Sequence, residues 1–365
     1  MNTLPPALDP KSCHSRQEAV RGLLKEQQLD AALFLNRNYV HALTAYWHEQ
    51  SLTPVALIVP LNGKTILVAP GENLDVPAAD EHLSYHPQEL CTLVENIPAR
   101  LSAAISQTLA PFKRIGTTGG VPTALVELHE WIDIATEYQN LRRCKYPDEV
   151  EVLRYAIQAT EVAYAEARNI LTPGLSELSL YASMQSAAIN AVGEPLSAWG
   201  NDFRSGEPGG FPRQSPAAAG EIAVLDIGVG VRGYRSDLCR SFAVDRNPTD
   251  VQLKAHARVL EALDHSEKNI KPGTSCKRLF EDIHTQLDGW NGYSFYHHLG
   301  HAIGLDAHET PRLNPYWDDT FQAGDVVAVE PGLYGEDLRA GLRLEQNFLV
   351  TETGVERLSN FSLEL

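Results

Sequence analysis

At 365 residues the chain exceeds one ordinary core and suits two domains of roughly 100–200 residues each. Its 43% hydrophobic and 21% charged residues are the balance of a globular protein that buries a sizeable core. The 30 Lys and Arg against 47 Asp and Glu leave a net charge of −17, a surface that repels phosphate backbones and anionic lipids and so excludes nucleic acid and membrane as partners.

Met1 to Asp30 has no apolar h-region, so it does not read as a signal peptide. No apolar run approaches the roughly 20 residues of a membrane span. Cys13, Cys91, Cys144, Cys239 and Cys276 are scattered and form no C-x-x-C pair, which argues against a disulfide framework and a thiolate zinc site. The reducing cytoplasm is the expected location.

In chain order, Ser15–Gln28 reads as an amphipathic helix and Ala31–Leu35 as a short buried strand. Pro54–Pro60 and Lys64–Ala69 are two predicted strands joined by a hairpin turn at Leu61-Asn62-Gly63. Leu90–Leu109 is a predicted helix with a break at Pro98, and Arg114–Gly116 starts another strand before the turn-rich 117–120. A boundary follows near 141–148, dividing an α/β domain (1–143) from a second domain (144–365). Asp148 and Glu151 suggest a capping box for a long helix with Val150, Leu153, Ile157 and Tyr164 at helical spacing. A second helix covers Leu175–Val192 and a third Asp250–Lys268, and the rest of this domain is strand-rich.

The chemistry belongs in that strand-rich part. In residues 221–244 two strands flank a turn, with Gly230 and Gly233 on either side of Val231-Arg232. A turn centred there sets Asp226 directly opposite Asp237, with about 4.5–5.5 Å between Cβ atoms. Like charges so opposed destabilise a hairpin unless a divalent cation lies between them. The alternative is one aspartate in a turn and the other facing solvent. Gly228, Gly230 and Gly233 also spell G-x-G-x-x-G, but strand-like residues follow where a dinucleotide site needs a helix.

His297, His298, His301 and His308 fall within twelve residues, and Gly300 and Gly304 around His301 argue against a regular helix there. Asp325–Val329 reads as an apolar strand ending in Glu330, which needs a cation or a basic partner if buried. Alternation along 341–350 puts Arg343, Glu345 and Asn347 on one face, so an Arg343–Glu345 ion pair competes with a metal role. Asp226, Asp237, His301, Glu330 and Glu345 together form an oxygen-rich set whose charge suits two divalent ions sharing carboxylates. Such ligation favours manganese, with cobalt, iron or zinc as alternatives.

These residues, in the strings G-H-A-I-G-L-x-x-H-E, V-E-P-G-L-Y and G-L-R-L-E, resemble the pita-bread metallopeptidase family of aminopeptidase P, prolidase, methionine aminopeptidase and creatinase. The resemblance covers essentially the whole chain. It implies an α/β (α+β) architecture, with a creatinase-type N-terminal domain before a pita-bread catalytic domain. It implies cleavage of Xaa-Pro bonds in small peptides by a two-metal centre on Asp226, Asp237, His301, Glu330 and Glu345, with Asp237 and Glu345 bridging. His308 and His297 would act beside the substrate, and Glu330 would double as acid and base. Arg343, Arg213 and Tyr334 would lie on the substrate side, and the protein would be a homodimer. One departure concerns Ser205–Arg213, where Arg213 stands in place of the family's histidine. Arginine cannot accept a proton bond, so it would either clamp a substrate carboxylate, favouring dipeptides or a creatinase-like non-peptide substrate, or point to solvent. A metal-free binding module is the remaining alternative, against which all five ligand positions speak.

Overall fold

The computed structural model describes residues 4–49, 52–72, 74, 76–87, 93–94 and 96–365. They divide into two compact units, Ala7–Arg142 and a larger one built on Arg143–Leu365.

The smaller unit is a six-stranded mixed sheet with helices on both faces. Its elements are α1 (Pro10–Glu26), β1 (Ala31–Phe34), α2 (Arg37–Thr44), β2 (Ala56–Pro60), β3 (Ile66–Pro70), β4 (Glu81–Tyr85), α3 (Ile97–Leu109), β5 (Arg114–Thr117), β6 (Glu130–Asp133) and α4 (Ala135–Leu141), with strand order β4-β3-β2-β1-β5-β6. Period-two alternation sends Ala32 and Phe34 into the core under α1 and Leu33 into the core under α3. The β2–β3 hairpin forms as expected, with Ile58 opposite Ile66. Pro98 does not break α3; it lies in its first turn after the N-cap Asn96, where a missing N–H costs nothing. Leu90 and Cys91 lie outside the described residues.

The larger unit holds α5 (Pro147–Ile170) and α6 (Glu177–Val192), then β7 (Ala198–Trp199), β8 (Asp202–Ser205), β9 (Ile222–Ile227), β10 (Val229–Val231), β11 (Tyr234–Arg235) and β12 (Leu238–Ala243). Next come α7 (Asp250–Asn269), α8 (Cys276–Leu287), β13 (Gly300–Ala302), β14 (Glu309–Leu313), β15 (Val326–Val329), β16 (Gly332–Gly335), β17 (Ala340–Arg343), β18 (Gln346–Val350) and β19 (Val355–Arg357). The long helix α5 forms, but its cap lies two residues earlier than expected: the Tyr146 N–H donates to Glu149 Oε2 at 2.9 Å. Alanines and leucines of α7 and α8 pack on Ile222, Val224, Val327, Val329 and Phe348 in the main core. Among the described residues no helix is long and apolar enough to cross a membrane.

Two local expectations are corrected. Tyr234 pairs with Val231 and Arg235 with Gly230, so the hairpin turns at Arg232-Gly233 rather than Val231-Arg232. Both turn residues have positive φ, +47° and +93°, as a two-residue primed turn requires. The expected turn would force β-branched Val231 into that region, whereas Arg232 is held there by Glu194, at 3.1 and 3.0 Å. Residues 341–350 are likewise not one strand. The chain leaves β17 after Arg343 and enters β18, in a different sheet, at Gln346.

Candidate metal centre

The corrected register gives Asp226 a different partner. Cys239 faces it across β12, and across β8 it meets Asp202 directly. Two carboxylates thus do oppose each other on an antiparallel pair, and the cation between them is Arg343. Its Nη1 lies 2.7 Å from Asp226 Oδ2 and its Nη2 2.9 Å from Asp202 Oδ2. The alternative Arg343–Glu345 pair does not form; Arg343, the last residue of β17, pairs with Asp202 and Asp226 instead.

Asp237 reaches Asp226 by another route. The ladder lapses at Gly228 and at Ser236–Asp237, where both hairpin arms pass from one sheet to the next. Asn347 fixes the released peptide: its Nδ2 donates to Asp237 O, and Asp237 N donates to its Oδ1 at 3.4 Å. Oxygens of Asp226, Asp237 and Glu345 then lie within 4.8 Å of one another.

His301 occupies β13, hydrogen-bonded on both sides to β14 and β15. Gly300 beside it has φ +154°, and a Cβ there would stand 2.1 Å from Ala328 O, so only glycine lets β13 come this close to β15. The Nδ1–H of His301 donates to Ala302 O at 3.0 Å, which leaves the Nε2 lone pair facing the acids. That nitrogen lies 3.7 Å from Glu330 Oε1 and 3.8 Å from Asp237 Oδ2. Glu330 follows β15, its N–H held by Leu299 O at 2.8 Å. Glu345, in the break before β18, donates its N–H to Cys239 O at 3.0 Å, and its Oε2 is buried with no hydrogen-bond partner.

The electrostatics of this cluster are those of anions awaiting a cation. Burial and then neighbouring carboxylates push Asp237 and Glu345 far above the carboxylate range. Burial, then the charge on Asp226, lifts Glu330 to about 8. Burial lifts Asp226 to about 6 even against Arg343. The same burial holds His301 down at about 3, as the neutral imidazole that ligation needs. Four acids, one imidazole lone pair and an orphaned carboxylate oxygen fit divalent ions. The donor triads Asp226–Asp237–Glu345, Asp237–His301–His308 and His301–Glu330–Glu345 overlap.

The remaining expected residues are distributed as follows. His308 stacks on His301 at 3.8 Å between ring centroids and 24° between planes, beside a cavity of about 610 Å³. His297 also lines that cavity, its Nε2 2.8 Å from the Tyr334 hydroxyl and its Nδ1 2.7 Å from His298 O. Tyr334 is buried, and its hydroxyl accepts from Arg343 Nε at 3.1 Å, linking histidine to arginine. Arg213, its side chain 34% exposed, is engaged with two glutamates. Glu177 takes its Nε and Nη2 at 3.1 and 2.8 Å, and Glu207 takes Nη1. Sequence reasoning missed His298, whose Nδ1 stands 3.3 Å from Glu330 Oε1, and Asp202. The doubled histidine was a visible signal for the first. Nothing local marks Asp202, which matters only through its strand partner.

With this geometry in hand, comparison with known proteins is informative. A sequence model of metallopeptidase family M24 matches residues 151–352. The chain is 28% identical over 319 residues to Xaa-Pro dipeptidase of Pyrococcus furiosus, covering 84% of this chain and 90% of that protein. It is 31% identical over 240 residues to an uncharacterized peptidase of Methanocaldococcus jannaschii, covering 63% and 67%. Prolidase from Pyrococcus horikoshii superposes with a TM-score of 0.80 at 20% identity, covering 96% of this chain and 99% of that one. Aminopeptidase P from E. coli does so with a TM-score of 0.76 at 20% identity, covering 98% and 97%. At such identities the structural likeness is one of fold, and it bears out the expected pita-bread architecture.

Proposed function

The chain belongs to metallopeptidase family M24, and from that premise we propose that it is a two-metal Xaa-Pro peptidase of the dipeptidase or aminopeptidase P kind. The observation that carries this reading is the convergence of Asp226, Asp237, His301, Glu330 and Glu345 on one buried volume, with Arg343 touching only the edge of the set. Asp237, His301 and Glu345 each belong to two of the three donor triads, and of these only the two carboxylates have a second oxygen to offer, which supports Asp237 and Glu345 as the residues that two ions would share. Oxygen-rich ligation favours manganese, with cobalt, iron or zinc as alternatives. When bound, the ions supply Lewis acidity toward a peptide carbonyl and make hydroxide available near neutral pH.

The protein's own groups do the rest. His308 presents its ring at the cavity, where it donates a hydrogen bond to the carbonyl oxygen as charge develops there. His297, oriented by Tyr334 and His298, lines the same wall. Glu330 takes the proton of the attacking water and delivers it to the leaving nitrogen. Arg343 holds Asp226 and Asp202 in place and lines the second opening with Pro208.

Xaa-Pro selectivity draws its support from the relatives named as Xaa-Pro dipeptidases, and the homodimer from the family resemblance alone. Arg213 was the best support for the creatinase-like alternative, and its contacts with Glu177 and Glu207 weaken that support. The test is a screen of protein reconstituted separately with manganese, cobalt, zinc and iron against Xaa-Pro di- and tripeptides. Turnover is expected with at least one metal; no cleavage with any of them refutes the reading. Sedimentation equilibrium tests the dimer.

A further inference from the structure

Beneath the loop that carries His308 lies a buried ion pair with no part in the chemistry above. Lys145 Nζ stands 2.7 Å from Glu309 Oε2, with side chains 2% and 1% exposed. The same ammonium donates to Arg143 O at 3.0 Å, and the Lys145 N–H donates to Gly324 O at 2.9 Å. The other oxygen of Glu309 accepts the Asp306 N–H at 3.0 Å. One carboxylate therefore ties the turn at Asp306 to the segment that leads into α5. Gly304 is part of the assembly: a Cβ there would lie 2.8 and 2.9 Å from the Glu309 oxygens and 2.9 Å from Lys145 Cε.

A buried ion pair is a weak source of net stability, because removing two charges from water offsets most of their attraction. What it does supply is geometry. His301 is fixed by its own sheet, between β14 and β15. His308 is not in a strand; it sits in the loop just before β14, its carbonyl accepts from Arg312 Nη2 at 3.3 Å, and Glu309, the next residue, is the first that pairs with β13. The place of its ring over His301 therefore depends on how that loop is anchored.

We propose that Lys145 and Glu309 are positioning residues that hold His308 stacked on His301 at the cavity wall, and that they act on the reaction only through His308. The kinetic part of this inference rests on the role given to His308 above; the spectroscopic part does not. Lys145→Met with Glu309→Met removes both charges at similar volume, and Glu309→Asp keeps the charge but withdraws it by one methylene. Carbon-13-labelled histidine spectra of the metal-free protein should show the His308 ring resonance, identified by its loss in His308→Ala, moving away from its stacked value in both variants. The resonance of His256, bonded to Leu363 O, should stay. In the manganese-loaded protein, kcat/KM for Ala-Pro should fall about 10- to 100-fold in the double variant. In a His308→Ala background the same two substitutions should cost less than about twofold. An unmoved His308 resonance, or an equal kinetic loss in both backgrounds, overturns the proposal. Failure of the unaltered enzyme to cleave any Xaa-Pro substrate would count against the peptidase reading instead, and the spectra would still decide this one.

Discussion

Two groups of buried carboxylates in the larger unit are treated in opposite ways. Asp325 is fully buried, yet Arg143 grips it with Nε and Nη2 at 2.7 and 2.8 Å and the Gln322 N–H adds a third bond at 2.8 Å. Glu309 has Lys145, and Glu177 has Arg213. Asp237, Glu330 and Glu345, each just outside a strand end, have no lysine or arginine ion pair among the described residues, and Glu345 leaves an oxygen bare. A chain that supplies an internal cation to some buried acids and withholds it from others marks the withheld ones as a site for an external cation.

The largest effect that can break this comparison comes from the withheld group. Glu345→Ala or Asp237→Ala should abolish bound metal, read by elemental analysis, and lower kcat/KM by about 10³-fold or more, since on the proposed reading each would remove a ligand shared by two ions. Full metal content in either variant would mean that the acids are not a cation site. The supplied group should behave in the reverse sense. Asp325→Asn leaves Arg143 as an uncompensated buried charge and should cost about 3–5 kcal/mol in chemical denaturation while metal stoichiometry is unchanged.

Next in size is the pH dependence of metal stabilisation. The cluster acids have their folded, metal-free pKa values raised, first by burial and then, for Asp237, Glu330 and Glu345, by neighbouring cluster carboxylates, with Glu330 at about 8 and Asp226 at about 6. A raised folded value means that the native state binds more protons than the unfolded chain, so the metal-free protein loses stability as pH climbs from the ordinary carboxylate range to about 8. Bound cations replace those protons. The gain from saturating metal, about 2.7 kcal/mol at a hundredfold excess over Kd, should therefore shrink as pH falls from 8 to about 5. Melting curves with metal and with chelator at several pH values measure it, and a gain that grows toward acid would contradict the assignment.

Much of the site was legible because it is built from residue types placed on strand ends, where alternation and glycine or proline punctuation are local signals. Glu330 before Pro331 and His301 between Gly300 and Gly304 are of this kind. Asp226 and Asp237 were paired for an incomplete reason: the register is two residues away from the expected one, and the breaks at Gly228 and Ser236 restore the contact. Strand breaks of that sort are decided by packing between sheets, not by local pattern, and the same cause split residues 341–350 and sent Arg343 to Asp226. Helices α2 and α8 were missed for a weaker reason: α8 carries its signal openly, with Cys276, Leu279, Phe280, Ile283 and Leu287 at helical spacing after the N-cap Ser275, while α2 spans only Arg37–Thr44. Asp202 was invisible, since its meaning comes from a strand partner 24 positions away.

The smallest effect concerns Arg213, which sharpens the boundary between a structural pair and a substrate contact. Burial alone would raise the Glu177 pKa, but Arg213 and the backbone N–H groups of Ser205 and Arg213 bring it below the ordinary value. A lowered folded pKa stabilises above the unfolded value and is lost as pH falls through the folded one. Arg213→Met removes the guanidinium but leaves both N–H donors, at 3.0 and 2.7 Å, on the glutamate. With a third of the arginine side chain exposed to water, the pair should be worth only about 1 kcal/mol. The variant should therefore unfold slightly earlier near neutral pH, with a shallower loss of stability toward acid. KM for Xaa-Pro dipeptides should stay within about twofold, because the Nε, Nη1 and Nη2 of Arg213 already donate to two glutamates. A tenfold rise in KM for dipeptides but not tripeptides would place Arg213 on the substrate after all.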